Sequence, residues 1–143
     1  MKTVEQLTQV FYDNFVAYFR SHMAHVNVTG RNFSEDHELL GDIYADLQGQ
    51  IDIIGELIRS TGAFVPDSIQ EVAQGSSVLP LPCVGDADSL LMDVRADLEQ
   101  LKSCYTELIH IADEEDLLEI SNYAQDRVLA LEKFIWMLDS TLS

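Results

Sequence analysis

Four long segments of this chain carry apolar residues at every third or fourth position, the periodicity of a helix with one buried face. The first runs from about Val4 to His25, and the second follows a turn at Thr29–Asn32. The third begins near Asp86 or Asp88, and the fourth follows the polar stretch Asp113–Asp116. No segment alternates apolar and polar residues as a half-buried strand does. The pattern predicts an all-α protein.

The spacing also predicts which side chains are buried and where the second helix begins and ends. On the first helix the predicted buried face holds Val4, Leu7, Phe11, Phe15, Tyr18, Phe19 and His22, and on the second it holds Leu40, Ile43, Leu47, Ile51, Ile54 and Ile58. Ser34 is the predicted N-cap of the second helix, with acidic residues in the first turn. Gly62 is its predicted end.

The segment 63–85 separates the second helix from the third and contains all three prolines of the chain. Pro66–Val72 within it is predicted to form a short helix that starts at its proline. A connection of this length favours a crossover along one face of a helical bundle. The predicted fold is therefore a four-helix bundle with a long crossover, carrying a short helix, between the second and third helices.

Size and composition limit the classes of function. The 143 residues, 47% of them hydrophobic, suit one domain spanning residues 1–143. No apolar run reaches the roughly 20 residues of a membrane span, and no signal peptide is recognisable, so we expect a cytoplasmic protein with no membrane partner. The net charge of −17 and the scattered basic residues predict no binding of nucleic acid.

Two histidines and two carboxylates on the first two helices are the candidate functional residues. His25 closes the first helix, His37 lies one turn inside the second, and Asp52 and Glu56 share a face farther along it. Imidazole and carboxylate groups in a helical bundle are typical ligands of iron or a similar divalent metal. The alternative is that the carboxylates only face solvent and the histidines only pack.

Helical geometry separates these four residues within one chain. His37 and Asp52 are fifteen residues apart, about 22 Å along one helix. A site that uses both must therefore form between two subunits whose second helices run antiparallel, which predicts a two-fold dimer. The pair Glu107 and His110 has the spacing of di-iron bundle proteins but occurs once, so we interpret it as structural.

The segment from His25 to Phe33, followed by His37-Glu-Leu-Leu and by Asp52-x-x-x-Glu56, resembles the ferroxidase segment of the Dps family (DNA protection during starvation), the mini-ferritins. The final Leu131–Leu138 resembles the last helix of that family. The resemblance covers most of the chain and implies a ferritin-like bundle that assembles as a homo-oligomeric shell of twelve subunits, built from two-fold dimers.

The resemblance also implies an activity. Two histidines of one subunit, here His25 and His37, and two carboxylates of its mate, here Asp52 and Glu56, would bind Fe(II), which peroxide or oxygen oxidises. Ferric mineral would then collect in the cavity, so that iron is stored or detoxified. Zinc is an alternative occupant of the same ligands. The acidic cluster Asp113, Glu114, Glu115, Asp116 and Glu119 is a candidate counterpart of the family's iron-entry pores.

The chain departs from the family pattern at two positions. The aspartate that follows the second histidine by four residues is Gly41 here, and the tryptophan after the first histidine is Val26. Asp42 is the next residue and a candidate substitute ligand, but it lies about 100° farther around the helix. These changes favour a weakened second metal position. They motivate an alternative function, a shell or interaction protein of the Dps fold with weakened or lost ferroxidase activity. The lysine-rich tail with which some members bind DNA is also absent.

Overall fold

A computed structural model describes all 143 residues, and it contains five helices and no strand. The helices are α1 (Lys2–Asn27), α2 (Phe33–Ser60), α3 (Ile69–Gly75), α4 (Ala87–Glu114) and α5 (Leu118–Leu142). α1 packs against α2, α4 and the short α3, and α4 packs against α5. The predicted four-helix bundle, with its long crossover and short helix between the second and third long helices, is confirmed. None of the five helices combines the length with the apolar composition that a membrane span requires.

The buried face of α2 follows the predicted stripe. Leu40, Ile43, Leu47, Ile54 and Ile58 are completely buried, and the remaining stripe residue, Ile51, is partly buried. On α1 the prediction is wrong for one residue, since Phe19 is 54% exposed. The periodicity assigned both Tyr18 and Phe19 to the buried face, but neighbouring residues are about 100° apart around a helix. Here Tyr18 packs against the core and Phe19 does not. Phe19 instead borders a surface groove between α1 and the crossover.

The helix ends show where local sequence signals hold. α2 begins at Phe33 with Asn32 at the N-cap, and no side chain caps it, so the predicted cap at Ser34 is wrong. The turn closes earlier because the Phe33 N–H donates to the Gly30 carbonyl. Gly62, with φ of +95°, follows the end of α2 as predicted.

The shorter α3 begins three residues later than its predicted start at Pro66. Ser68 is the N-cap, and its side chain accepts a hydrogen bond from the Glu71 N–H. The start of α4 near Asp86 is confirmed, because the Asp86 carboxylate caps it by accepting from the Ser89 N–H. A side-chain acceptor at the N-cap satisfies a backbone donor that otherwise has no partner in the helix.

Buried polar contacts hold the crossover against α1. Asp13 is fully buried and accepts hydrogen bonds from the Ser77 N–H at 2.7 Å and from the Ser76 hydroxyl at 3.3 Å. Arg20 donates through Nε to the Leu81 carbonyl at 2.9 Å and pairs with the buried Asp97 of α4. Burial raises the pKa of the Asp97 carboxyl to about 7, although Arg20 acts against this shift. These contacts position the long connection over α1.

Candidate metal site

His25 and His37 lie face to face across the turn between α1 and α2. Their rings stack with centroids 3.8 Å apart and planes 17° from parallel. The two residues are also joined by a reciprocal pair of hydrogen bonds. The His25 Nδ1 contacts the His37 backbone carbonyl at 2.6 Å, and the His37 Nδ1 contacts the His25 carbonyl at 2.7 Å. The two side chains are thus fixed by each other's backbone.

These hydrogen bonds determine the tautomer of both rings. A carbonyl oxygen only accepts, so each Nδ1 carries the proton and donates it. In the neutral imidazole the lone pair is then on Nε2, the atom left for a metal ion. A carbonyl that receives the other ring nitrogen's proton is the usual support for a metal-binding histidine. Both rings are half-buried, so the pair has the chemistry of one half of a metal site.

Gly41 lies on α2 one turn after His37 and is packed against the His25 ring. A β-carbon at Gly41 would lie 3.0 Å from His25 Cε1 and 3.1 Å from His25 Nδ1. Both distances are shorter than an ordinary van der Waals contact, which begins near 3.4 Å. The absence of a side chain at position 41 therefore allows the His25 ring to pack directly against α2.

Other aromatic rings surround the histidine pair. Phe33 stacks on His37 at 5.0 Å, and Tyr44 lies 5.0 Å from His25. His22, predicted to be a packing residue, stacks on Tyr44 at 3.8 Å with nearly parallel planes. Its Nδ1 is 3.0 Å from the Tyr18 hydroxyl. This ring cluster encloses the flanks of the pair.

Asp52 and Glu56 are exposed on α2 and form no ion pair within the chain. They border a shallow depression together with Phe11, Gln48, Ile51, Gly55, Arg59 and Val65. The nearby Arg59 guanidinium lies over the Phe64 ring at 4.3 Å and donates to the Ala63 carbonyl. The two carboxylates are therefore free to face a partner molecule.

The structure does not bring the predicted ligands together within one subunit. α2 is continuous from Phe33 to Ser60, so His37 and Asp52 remain about 22 Å apart along its axis. No group of three or more histidine, cysteine, aspartate or glutamate side chains converges anywhere in the chain. Asp42 is exposed and does not join the histidine pair in such a group. One chain thus carries two separate halves of a possible site.

Two further sequence candidates occupy ordinary surface positions. Glu107 and His110 are both exposed on α4. In the acidic cluster, Asp113, Glu114, Asp116 and Glu119 are exposed. Glu115 differs because it accepts hydrogen bonds from the Thr3 backbone N–H at 2.8 Å and from the Thr3 hydroxyl at 2.5 Å. These bonds hold the pKa of the Glu115 carboxyl below its ordinary value.

Two features of the site were not predicted from the sequence. These are the reciprocal hydrogen bonds of the histidine pair and the contact between Gly41 and His25. The only sequence signal for the second was a glycine inside a strongly periodic helix, and Gly49 of the same helix has that signal without any such contact.

Comparison with known proteins places the chain in a family. A ferritin-like domain model matches residues 4–143. The DNA protection during starvation protein of Helicobacter pylori strain J99 is 26% identical to this chain over 100% of both proteins. The X-ray structure of Dps from Listeria monocytogenes matches with a TM-score of 0.93 and 25% identity, covering 98% of this chain and 92% of that one. A Dps structure from Vibrio cholerae, described as a member of the ferritin-like diiron-carboxylate proteins, shares the fold with a TM-score of 0.94 at 24% identity, covering 99% and 89%. The chain therefore belongs to the ferritin-like family, among its Dps members.

Proposed function

We propose that this protein binds Fe(II) at sites between subunits, oxidises it, and stores the product inside a hollow shell. The observation that carries the proposal is the His25–His37 pair, in which both Nδ1 atoms donate to backbone carbonyls and both Nε2 atoms are left for a metal ion. The description of the Vibrio cholerae Dps as a ferritin-like diiron-carboxylate protein supports iron as the metal.

Each complete site combines the histidines of one subunit with Asp52 and Glu56 of another. The separation of about 22 Å within a chain requires this arrangement if all four residues bind one ion. If two α2 helices run antiparallel across a two-fold axis, the histidine pair of each subunit faces Asp52 and Glu56 of the other. This arrangement generates two equivalent sites. Six such dimers make the twelve-subunit shell that membership of the family suggests.

The ligand types suit the chemistry of iron oxidation. Neutral imidazoles bind Fe(II), and anionic carboxylates stabilise the greater charge of Fe(III). Two Fe(II) ions supply the two electrons that convert one hydrogen peroxide to two hydroxide ions. The exposed acidic cluster near Asp113 attracts cations and is the proposed entry route. The proposed setting is the cytoplasm, and zinc is a competing occupant of the same ligands.

The test is anaerobic titration of the assembled apo-protein with Fe(II), followed by peroxide, with the rate of Fe(III) formation read by absorbance. We expect the double variant Asp52→Ala, Glu56→Ala and the single variant His25→Ala to lose both binding and rapid oxidation. A Glu107→Ala, His110→Ala variant removes the same residue types from an exposed surface and is the matched control. Saturable oxidation that survives in the first two variants would contradict the proposed ligands.

A second candidate is a Dps-fold shell with weakened or lost oxidase activity. Gly41 and Val26, in place of an aspartate and a tryptophan of the family pattern, are the observations that favour it. Mass measurement in solution and the peroxide assay separate the two functions. Twelve subunits with rapid oxidation support the ferroxidase, whereas twelve subunits that bind Fe(II) without rapid oxidation support the second candidate.

A further inference from the structure

We infer that Gly41 limits each intersubunit site to one tightly bound divalent cation. This inference rests on the proposed function, since it specifies how many metal ions the proposed ligands hold. It concerns a residue that binds nothing itself and acts through the position of the His25 ring. Gly41 is thus a specificity-determining residue for metal stoichiometry.

The first step is the position of Gly41. It follows His37 by four residues, so both project from one side of α2, a single turn apart. A side chain at position 41 would be the nearest one on α2 to share a metal ion with His37. The His25 ring borders that space closely, because it would lie 3.0 Å from an added β-carbon. Gly41 itself supplies no ligand, and any longer residue there would require the His25 ring to shift by a few tenths of an ångström.

The second step is that His25 has little freedom to move aside. Its Nδ1 is hydrogen-bonded to the His37 carbonyl at 2.6 Å, and its own carbonyl receives the His37 Nδ1. Its ring is stacked on His37 at 3.8 Å. Displacement of the ring would weaken these contacts together. The space next to Gly41 in this chain therefore contains an imidazole and no carboxylate.

The third step is charge. Two neutral imidazoles and the two carboxylates of Asp52 and Glu56 carry a net charge of −2, which one divalent cation neutralises. A second divalent cation would leave a net charge of +2 at an interface with reduced access to water, which is unfavourable. No third acidic side chain groups with the histidine pair, and Asp42 is exposed and turned about 100° away around α2.

The test uses Co(II), which resists oxidation in air and has visible absorption that reports its ligands. Calorimetric and optical titration of the assembled wild-type protein should give one tight equivalent per subunit. Two equivalents of similar affinity would overturn the inference while leaving the proposed function intact. Wild-type protein alone thus makes the inference falsifiable, whether or not any variant folds.

Matched variants test the role of position 41. Gly41→Asp adds a carboxylate beside His25 and should bind a second equivalent. Gly49→Asp adds the same charge to the same helix and should still bind one equivalent of Co(II), because a β-carbon added at position 49 meets nothing within 4 Å. Gly41→Asn introduces a side chain of the same shape as aspartate but without its charge, and it should also bind one equivalent of Co(II). A folded, assembled Gly41→Asp protein with one equivalent would refute the role of Gly41. Co(II) binding that persists in the Asp52→Ala, Glu56→Ala variant would refute the proposed function instead.

Discussion

Replacing Gly41 by alanine tests the packing of the histidine pair directly, without any metal. Gly41 and Gly49 both lie inside α2, and glycine within a helix is less favourable than alanine by about 0.5–1 kcal/mol. Gly49→Ala should recover that amount, because the new methyl group meets nothing within 4 Å. Gly49→Ala therefore measures the stability gained when alanine replaces glycine within α2 without a new tertiary contact.

At Gly41 the same gain is opposed by a contact with His25. The new methyl group would lie 3.0 Å from Cε1, so the ring must shift by about 0.4 Å to reach an ordinary 3.4 Å contact. That shift disturbs two hydrogen bonds, each contributing about 0.5–1.5 kcal/mol. We expect Gly41→Ala to be neutral or destabilising by up to about 2 kcal/mol, and so about 0.5–3 kcal/mol less stable than Gly49→Ala.

The assay is urea unfolding of the metal-free protein, followed by circular dichroism at one fixed subunit concentration. Fixed concentration is essential because association between subunits contributes to the measured stability. The mass of each variant is checked first, so that a change of assembly is not mistaken for a change of folding. Equal stabilisation by the two alanines would refute the packing role of Gly41.

Three other predictions concern the crossover, pH and DNA. Asp13→Ala should destabilise the fold by about 1–3 kcal/mol and speed proteolysis within the crossover, because the hydrogen bonds that the fully buried Asp13 carboxylate accepts from Ser76 and Ser77 are lost. Exposed Asp67→Ala is the control, and equal proteolysis of the two variants would contradict this role of Asp13. Since the raised pKa of Asp97 makes the native state bind a proton that the unfolded chain releases, stability should fall as pH rises from about 4 to about 7. An Asp97→Asn variant should show a weaker dependence of the free energy of unfolding on pH. If urea unfolding gives the same pH dependence for the variant and the wild-type protein, Asp97 is not its source. Twelve chains of charge −17 carry about −204 formal charges, so we expect no gel shift of linear DNA at about 150 mM salt, and a shift would refute the electrostatic reasoning.

The helices and the separation of the two half-sites were predictable because both follow from local rules. Apolar spacing identifies a helix and its buried face, as the fully buried Leu40 and Ile58 show. The rise per residue is constant, so the distance between His37 and Asp52 follows from their numbers alone. The prediction that one chain carries only half-sites therefore needed no coordinates.

Contacts between distant parts of the chain were beyond the reach of the sequence. Nothing in the spacing indicated that Asp13 would be buried under the crossover, or that Phe19 would be exposed. Ser34 has the chemistry of an N-cap, yet α2 begins before it because the preceding turn closes at Gly30. Each of these outcomes depends on how the segments pack.

By itself the sequence determined the bundle, its long crossover and the candidate ligands, since these depend on helical periodicity and on residue type. Only the tertiary structure decided how His25 and His37 hold each other, and that Gly41 gives the His25 ring its space. The physical reason is that these are contacts of a few ångströms between atoms on two different helices. Such distances are set by the packing of α1 on α2, and no local pattern encodes them.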